Sequence, residues 1–412
     1  MINKFNKLLI ILLITFAGAD RINFGVNITD SFILTPFLTL SFIYSLLTIL
    51  FFIRKIKLNW LIDNQFFFLT LAFFLCLVIM SAVFSPEIIM SSKRIVLLFI
   101  IIIIFIIILS EYDYPQINTI LIASSIYGSI LYFIFNVIML SNWLGVIEIE
   151  IPQINFFPDT IAYYIPRLGG FSGDSNRGGF VLSFYTYILW VNREKINFSG
   201  FLLCLNLAML FLTLSRSTYL LLFILFLSYA LLFQRHLFNI EFMAYLLIPL
   251  LVIIVGLIQM DNIGIIEIGP AIEERFSITS EKSESASIHF DLIAKGTKLI
   301  LSDMKYFFLG IGHGVSYLLT DGYYWSGSKY GNFHSQYITI FIENGIIAFF
   351  SFSFLTIIYP LIKGRNNIYL PLLLSLIFFN IFYQLTSEPT YWLVILLFYK
   401  YSAKLKLETI IV

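Results

Sequence analysis

His334 stands in the stretch Gly331-Asn332-Phe333-His334-Ser335-Gln336-Tyr337, where a long polar segment gives way to an apolar run. An imidazole exchanges a proton near neutral pH, so a positioned histidine can serve as a general base. The alternative is a structural histidine at a loop end. Glu343 lies inside the following apolar run; apart from Lys400 and Glu241 near run ends, it is the one ionisable residue well within such a run. Ionisable groups at that depth are expensive and usually functional. Glu343 is not a simple partner of His334: nine residues at about 100° each leave them half a turn apart on a straight helix. His289 and His313 are weaker candidates.

Arginines form a second group. Lys93 and Arg94 precede one apolar run, Arg177 begins another, and Arg216, in Ser215-Arg216-Ser217, joins two runs with no room for a loop. Each could simply snorkel to lipid headgroups. Several on one membrane face favour function, because the guanidinium stays charged and binds phosphate oxygens bidentately. Metal ligation has little support. There is no HExxH, Cys76 and Cys204 are isolated within apolar runs, and Asp20 at the end of the first run stands alone. The aromatics Tyr317, Tyr323, Tyr324, Trp325 and Tyr330 read as an interfacial belt, with stacking on sugar rings as the alternative.

The elements that must hold these residues are membrane helices. The 412-residue chain is 59% hydrophobic and 12% charged, with mean hydropathy +0.93. Soluble domains carry about 25% charge. The net charge of +1 argues against a nucleic-acid partner. Runs approaching the ~20 apolar residues of a bilayer span occur at about 7–19, 32–53, 66–84, 95–110, 117–140, 178–191, 198–214, 217–233, 240–260, 336–362, 368–386 and 390–402. The runs are solid rather than alternating, which predicts helices and not a β-barrel. The first run, with Lys4, Lys7 and Ala17-Gly18-Ala19, resembles a signal peptide but reads better as an uncleaved first span.

Basic residues orient the chain. With the N-terminus inside, cytoplasmic segments hold 13 (Lys4, Lys7, Arg54, Lys55, Lys57, Arg193, Lys195, Arg235, Lys363, Arg365, Lys400, Lys404 and Lys406). Short outer loops hold 4 (Arg21, Lys93, Arg94 and Arg216). That bias places both termini in the cytoplasm. The expected organisation is five spans over 1–140, an outer loop at 141–177, four spans over 178–260, a large outer loop at 261–335 and three spans over 336–412.

Long loops of this kind are usually functional. The first contains Arg167-Leu168-Gly169-Gly170-Phe171-Ser172-Gly173-Asp174-Ser175-Asn176-Arg177-Gly178-Gly179. In the second, apolar positions 288, 292, 293, 299 and 300 predict a helix over 287–301 lying along the membrane surface, and Gly310-Ile311-Gly312-His313-Gly314 predicts a tight turn.

Four motifs resemble the O-antigen polymerase and ligase superfamily of bacterial surface-polysaccharide assembly. They are Arg167–Gly179, Leu212-Thr213-Leu214-Ser215-Arg216-Ser217, Glu274-Arg275-Phe276, and Leu309-Gly310-Ile311-Gly312 with His334-Ser335-Gln336-Tyr337 and Glu343-Asn344-Gly345. Together they cover roughly residues 160–360. Three positions depart from the family pattern: Ser335 replaces the usual Asn, His313 the common Pro, and His289 a frequent Arg. The resemblance implies an all-α polytopic fold with a partly helical second loop, GT-C-like, in the bacterial inner membrane, with its active site facing the periplasm. It implies an inverting, metal-independent glycosyl transfer from undecaprenyl diphosphate, without a cofactor. His334 would be catalytic, and Arg216, Arg177, Arg167, Arg275, Arg94 and Glu343 would bind substrate. A lipid-linked oligosaccharide and the bilayer are the implied partners, with a chain-length regulator protein beside them. A polymerase for O-antigen or capsule is preferred over an O-antigen ligase because the sequence outside the motifs is idiosyncratic. A lipid-linked oligosaccharide flippase is the alternative of another class, opposed by the near absence of charge in the apolar runs.

Overall fold

The computed structural model describes residues 2–23, 27–29, 32–52, 59–151, 154–161, 165–233, 240–262, 264, 284–320, 331, 333–364 and 366–410. Each of the twelve apolar runs contains a helix among the described residues. Five helices are long and apolar enough to cross a membrane: Gln65–Val83, Ile88–Glu111, Tyr114–Trp143, Arg216–Phe233 and the interrupted Gln336–Lys363. Pro36–Phe51, Ser199–Leu212 and Leu370–Phe382 are shorter apolar helices. These are the features of an all-α, multi-pass membrane protein. Strand is confined, among the described residues, to two antiparallel ribbons, Asn27–Thr29 with Phe32–Ile33 and Asp159–Ile161 with Ile165–Arg167. Cys76 and Cys204 are free thiols.

The chain forms two compact units, one from Met1–Ile53 and Tyr114–Ser283, the other from Arg54–Asp113 and Glu284–Val412. At the centre of the first is the helix Ser175–Val191, buried at every position from Gly178 to Trp190. Lipid removes the hydrophobic drive between helices, so small residues and hydrogen bonds take over. Gly128 of the Tyr114–Trp143 helix lets the Tyr185 ring approach, since a Cβ there would sit 2.5 Å from Tyr185 Cε2. The Tyr185 hydroxyl then donates to the Thr15 carbonyl at 2.8 Å. Asn206 Nδ2 donates to Ser129 Oγ at 2.9 Å, joining the Ser199–Leu212 helix to the same core.

The second unit is built around the helix Pro389–Ile410, buried from Pro389 through Lys400. Lys400 is inside the protein because a helix ends beside it. Its ammonium donates to the carbonyls of Leu109 and Tyr112, at the C-terminal end of Ile88–Glu111. Those carbonyls have no helical partner, and the negative end of the helix dipole favours a cation. The helix Glu284–Ser302 extends beyond the expected 287–301 at both ends. Its Leu292 and Ile300 are buried and Gly296 fits against Ile338, so much of its apolar face packs within the unit; Phe290 and Leu301 are exposed. A cluster of Met90, Ile300, Ile311, Val315, Phe333 and Ile342 seals the region.

Candidate functional site

In the first unit the glycine-rich stretch winds onto a helix N-terminus. Asp174 caps it, its Oδ1 accepting the N–H groups of Asn176 at 2.8 Å and Arg177 at 2.9 Å. The Asp20 carboxylate accepts from Gly173 N–H and pairs with Arg177. Asp20 therefore does not stand alone, as its isolation in the sequence led one to expect, and Arg177 has a protein carboxylate as its partner. Both remain about a third exposed, at 32% and 27% of the side-chain surface. Arg21 is buried, donating to the carbonyls of Ser172 at 2.5 Å and Phe157 at 2.8 Å.

The Ser-Arg-Ser hairpin docks onto this stretch. Leu168 N–H donates to the Leu212 carbonyl at 3.0 Å, and Arg167 Nε to the Thr213 carbonyl at 3.3 Å. Asn176 Oδ1 accepts from Ser215 Oγ at 2.6 Å, Arg167 Nη2 at 3.2 Å and Ser217 Oγ at 3.3 Å. Close approach depends on Gly178, where a Cβ would lie 2.2 Å from the Gly169 carbonyl oxygen, and on Gly179, where it would lie 2.1 Å from Thr218 Oγ1. Leu214 adopts φ +48°, a left-handed conformation rare for a bulky residue. Ser215 Oγ accepts from Thr218 N–H at 3.1 Å and so caps the next helix. Arg216, at the first position of that helix, is exposed.

In the second unit the turn 310–314 plugs into a broken helix. Gly345 takes φ +81° and ψ 174°, which interrupts Gln336–Ser353. The carbonyls of Ile342 and Glu343 accept instead from the N–H groups of Ile311 at 2.8 Å and Gly312 at 2.9 Å. Gly310, Gly312 and Gly314 all have positive φ, as the predicted turn requires. Gly314 lies against the Arg94 stem, where a Cβ would be 2.5 Å from Cγ. Arg94 and Lys93 belong to the helix Ile88–Glu111 rather than preceding it. Glu343 is 1% exposed; its Oε1 accepts from Ser316 N–H at 3.4 Å and its Oε2 lies 3.5 Å from His313 Nδ1. Burial, and then the Arg94 charge, lower the His313 imidazole to about 4. At pH 7 it is neutral, and its contact with Glu343 is not an ion pair.

His334 is half-buried at the end of the polar segment, also left-handed at φ +49°. It is followed by the N-cap Ser335 and by Gln336. Gln336 is fully buried, donating from Nε2 to Thr386 Oγ1 at 2.7 Å and accepting from Leu385 N–H at 2.6 Å. Glu343 contacts His313 and Ser316; His334 lies before the helix Gln336–Ser353 and not on it, so the half-turn spacing of a straight helix does not describe the pair. Tyr317 packs against the Met90–Phe333 cluster, and burial followed by a hydrogen bond with Glu87 pushes its phenol up to about 12. Arg275 with its Glu274–Phe276 motif, and Tyr323, Tyr324, Trp325 and Tyr330, lie outside the described residues, as does the side chain of His289. Among the described residues no three His, Cys, Asp or Glu side chains gather as a metal site would require.

Sequence reasoning missed the Asp20–Arg177 pair, the Asn176 junction and the His313–Glu343 contact. Each joins residues far apart in the chain, so no local period announces it. The glycines of both motifs were the usable signal, since they mark close backbone approach.

No curated protein and no solved structure matches the chain. Residues 200–353 match the family model Wzy_C, O-antigen ligase. That range begins in the Ser199–Leu212 helix and takes in the Arg216 hairpin, the 310–316 turn, His334 and Glu343. It gives no support to the flippase alternative. Through the domain at residues 200–353, this membrane protein bears out its resemblance to the O-antigen polymerase and ligase superfamily.

Proposed function

We propose that the protein is a polysaccharide polymerase of the bacterial inner membrane. It transfers a glycan from undecaprenyl diphosphate to a lipid-linked repeat unit at the periplasmic face. The observation that carries this reading is the family match over 200–353, a range of sequence that includes both Arg216 and His334. The twelve helical runs are spans, both termini are cytoplasmic, and 141–177 and 261–335 are periplasmic.

In the proposed reaction an acceptor hydroxyl oxygen attacks the anomeric carbon from the face opposite the leaving group. A new C–O bond forms, the bond from that carbon to the diphosphate oxygen breaks, and the configuration inverts. His334 takes the acceptor proton. Arg216 offsets charge growing on the departing diphosphate, the kind of electrostatic help that usually contributes most to catalysis. Arg94, Arg167, Arg177 and Arg275 bind the donor or its glycan, and Glu343 holds the turn that lies against Arg94. Cation charge thus comes from arginine, and the reaction is metal-independent.

The ligase reading is favoured by the description of the matched family itself. The two share chemistry and differ in acceptor, so reconstitution separates them. Purified protein in liposomes, given lipid-linked repeat units alone, should lengthen the glycan without added metal and in the presence of a divalent chelator. Transfer only after lipid A core is added would make it a ligase. Movement of intact lipid-linked units between leaflets with no transfer would sink both.

A further inference from the structure

We infer that Asn176 is a positioning residue for Arg216, an inference that rests on the reading of Arg216 as the diphosphate-binding group. Asn176 lies in the first turn of the Ser175–Val191 helix, while Arg216 begins another helix across the hairpin. One atom connects them. Asn176 Oδ1 accepts from Ser215, Arg167 and Ser217, at 2.6, 3.2 and 3.3 Å. Arginine can only donate, so the atom facing Arg167 is the amide oxygen and not the nitrogen. Ser215 therefore spends its proton on Asn176 and its lone pairs on Thr218 N–H at 3.1 Å. Ser217 Oγ lies 3.0 Å from Ser215 Oγ and 3.3 Å from Asn176 Oδ1, so its one proton reaches that acceptor either directly or through Ser215, and both serines flanking Arg216 depend on Asn176.

The backbone shows why such a tie is needed. Leu214, two residues before Arg216, is held at φ +48°. A strained residue persists only where its surroundings over-determine it. Here the surroundings are the Leu168–Leu212 and Arg167–Thr213 bonds on one side and the Asn176 bonds on the other. Without the Asn176 oxygen, the Leu214 turn can relax and Arg216 leaves its place. A displacement of about 1 Å can cost about 10²-fold in rate.

Only an acceptor oxygen is required, so Asn176→Asp should serve. Its carboxylate accepts all three bonds, pairs with Arg167, and sits favourably at a helix N-terminus. The test is transfer by purified protein in liposomes with lipid-linked repeat units, measured for the wild type, Asn176→Asp, Asn176→Leu, Arg216→Ala and the Asn176→Leu/Arg216→Ala double variant. We expect Asn176→Leu to lose about 10²-fold in kcat/KM for the lipid-linked donor, and Asn176→Asp to stay within about threefold of wild type. In the Arg216→Ala background Asn176→Leu should cost little more, because its effect runs through a side chain already gone. If Asn176→Leu does not accumulate, the Ser215→Ala/Ser217→Ala pair carries the same expectation. Equal losses in both backgrounds, failure of Asn176→Asp to rescue, or wild-type rates in Asn176→Leu would overturn the inference. Wild-type rates in Arg216→Ala would instead overturn the reading of Arg216 beneath it.

Discussion

Gly345→Ala should unfold the second unit's turn from its helix. Gly345 sits at φ +81° and ψ 174°, a region almost reserved for glycine. A Cβ there would lie 2.1 Å from the Phe308 carbonyl oxygen, and backbone cannot swing aside as a side-chain tip can. The conformation alone costs a non-glycine residue about 1–3 kcal/mol. Relieving the clash moves the 308–312 backbone and endangers two bonds, Ile311 N–H to the Ile342 carbonyl and Gly312 N–H to that of Glu343. At about 0.5–1.5 kcal/mol each, these bring the expected loss to about 2–6 kcal/mol. Chemical unfolding of purified protein in detergent, followed by tryptophan fluorescence, measures it. Gly256→Ala is the control: it lies in the Ile240–Asn262 helix with nothing within 4 Å of an added methyl, and should gain about 0.5–1 kcal/mol. Equal midpoints for Gly345→Ala and wild type would refute the account of the broken helix.

Three further outcomes follow. Arg216→Lys keeps the charge and loses the fork, so transfer should fall at least tenfold, or about 1.4 kcal/mol of barrier; a near-normal rate would mean that Arg216 only snorkels. The buried His313 is lowered from 6.5 to about 4, so the unfolded chain takes up that proton first. The contribution of His313 to stability should then be lost as pH drops from about 6.5 to about 4, by up to about 3 kcal/mol, and the difference between the wild-type and His313→Gln stability profiles should show that loss across the window. A cysteine at the exposed Ser302, in a chain with Cys76 and Cys204 replaced, should react with an impermeant thiol reagent from the periplasm; reaction only after the inner membrane is breached would reverse the topology.

Helix positions were legible because lipid-compatible runs must satisfy their backbone internally. Their ends were less so. Lys93 and Arg94 read as a loop by charge, yet they lie in a helix because a charged side chain near the end of a span can still reach a polar region. The turn at 310–314 was visible in its glycines, but its seat was not. That seat depends on one glycine, Gly345, turning positive in φ and freeing two carbonyls, an event with no signature in hydropathy. Arg177 looked available because its partner, Asp20, lies 157 residues away in sequence, beyond the end of the Ile2–Thr15 helix. Asn176 looked like one polar residue among many, since an oxygen that collects three donors is defined only by the fold.

The central claim is that His334 takes a proton in a glycosyl transfer, and release of undecaprenyl diphosphate from the lipid-linked donor reports it most directly. Wild type and His334→Ala, purified and reconstituted at equal amounts, should unfold at the same midpoint. His334→Ala should release the diphosphate about 10²–10⁴-fold more slowly, the range a positioned base contributes. Release at the wild-type rate by a folded His334→Ala protein would contradict the account.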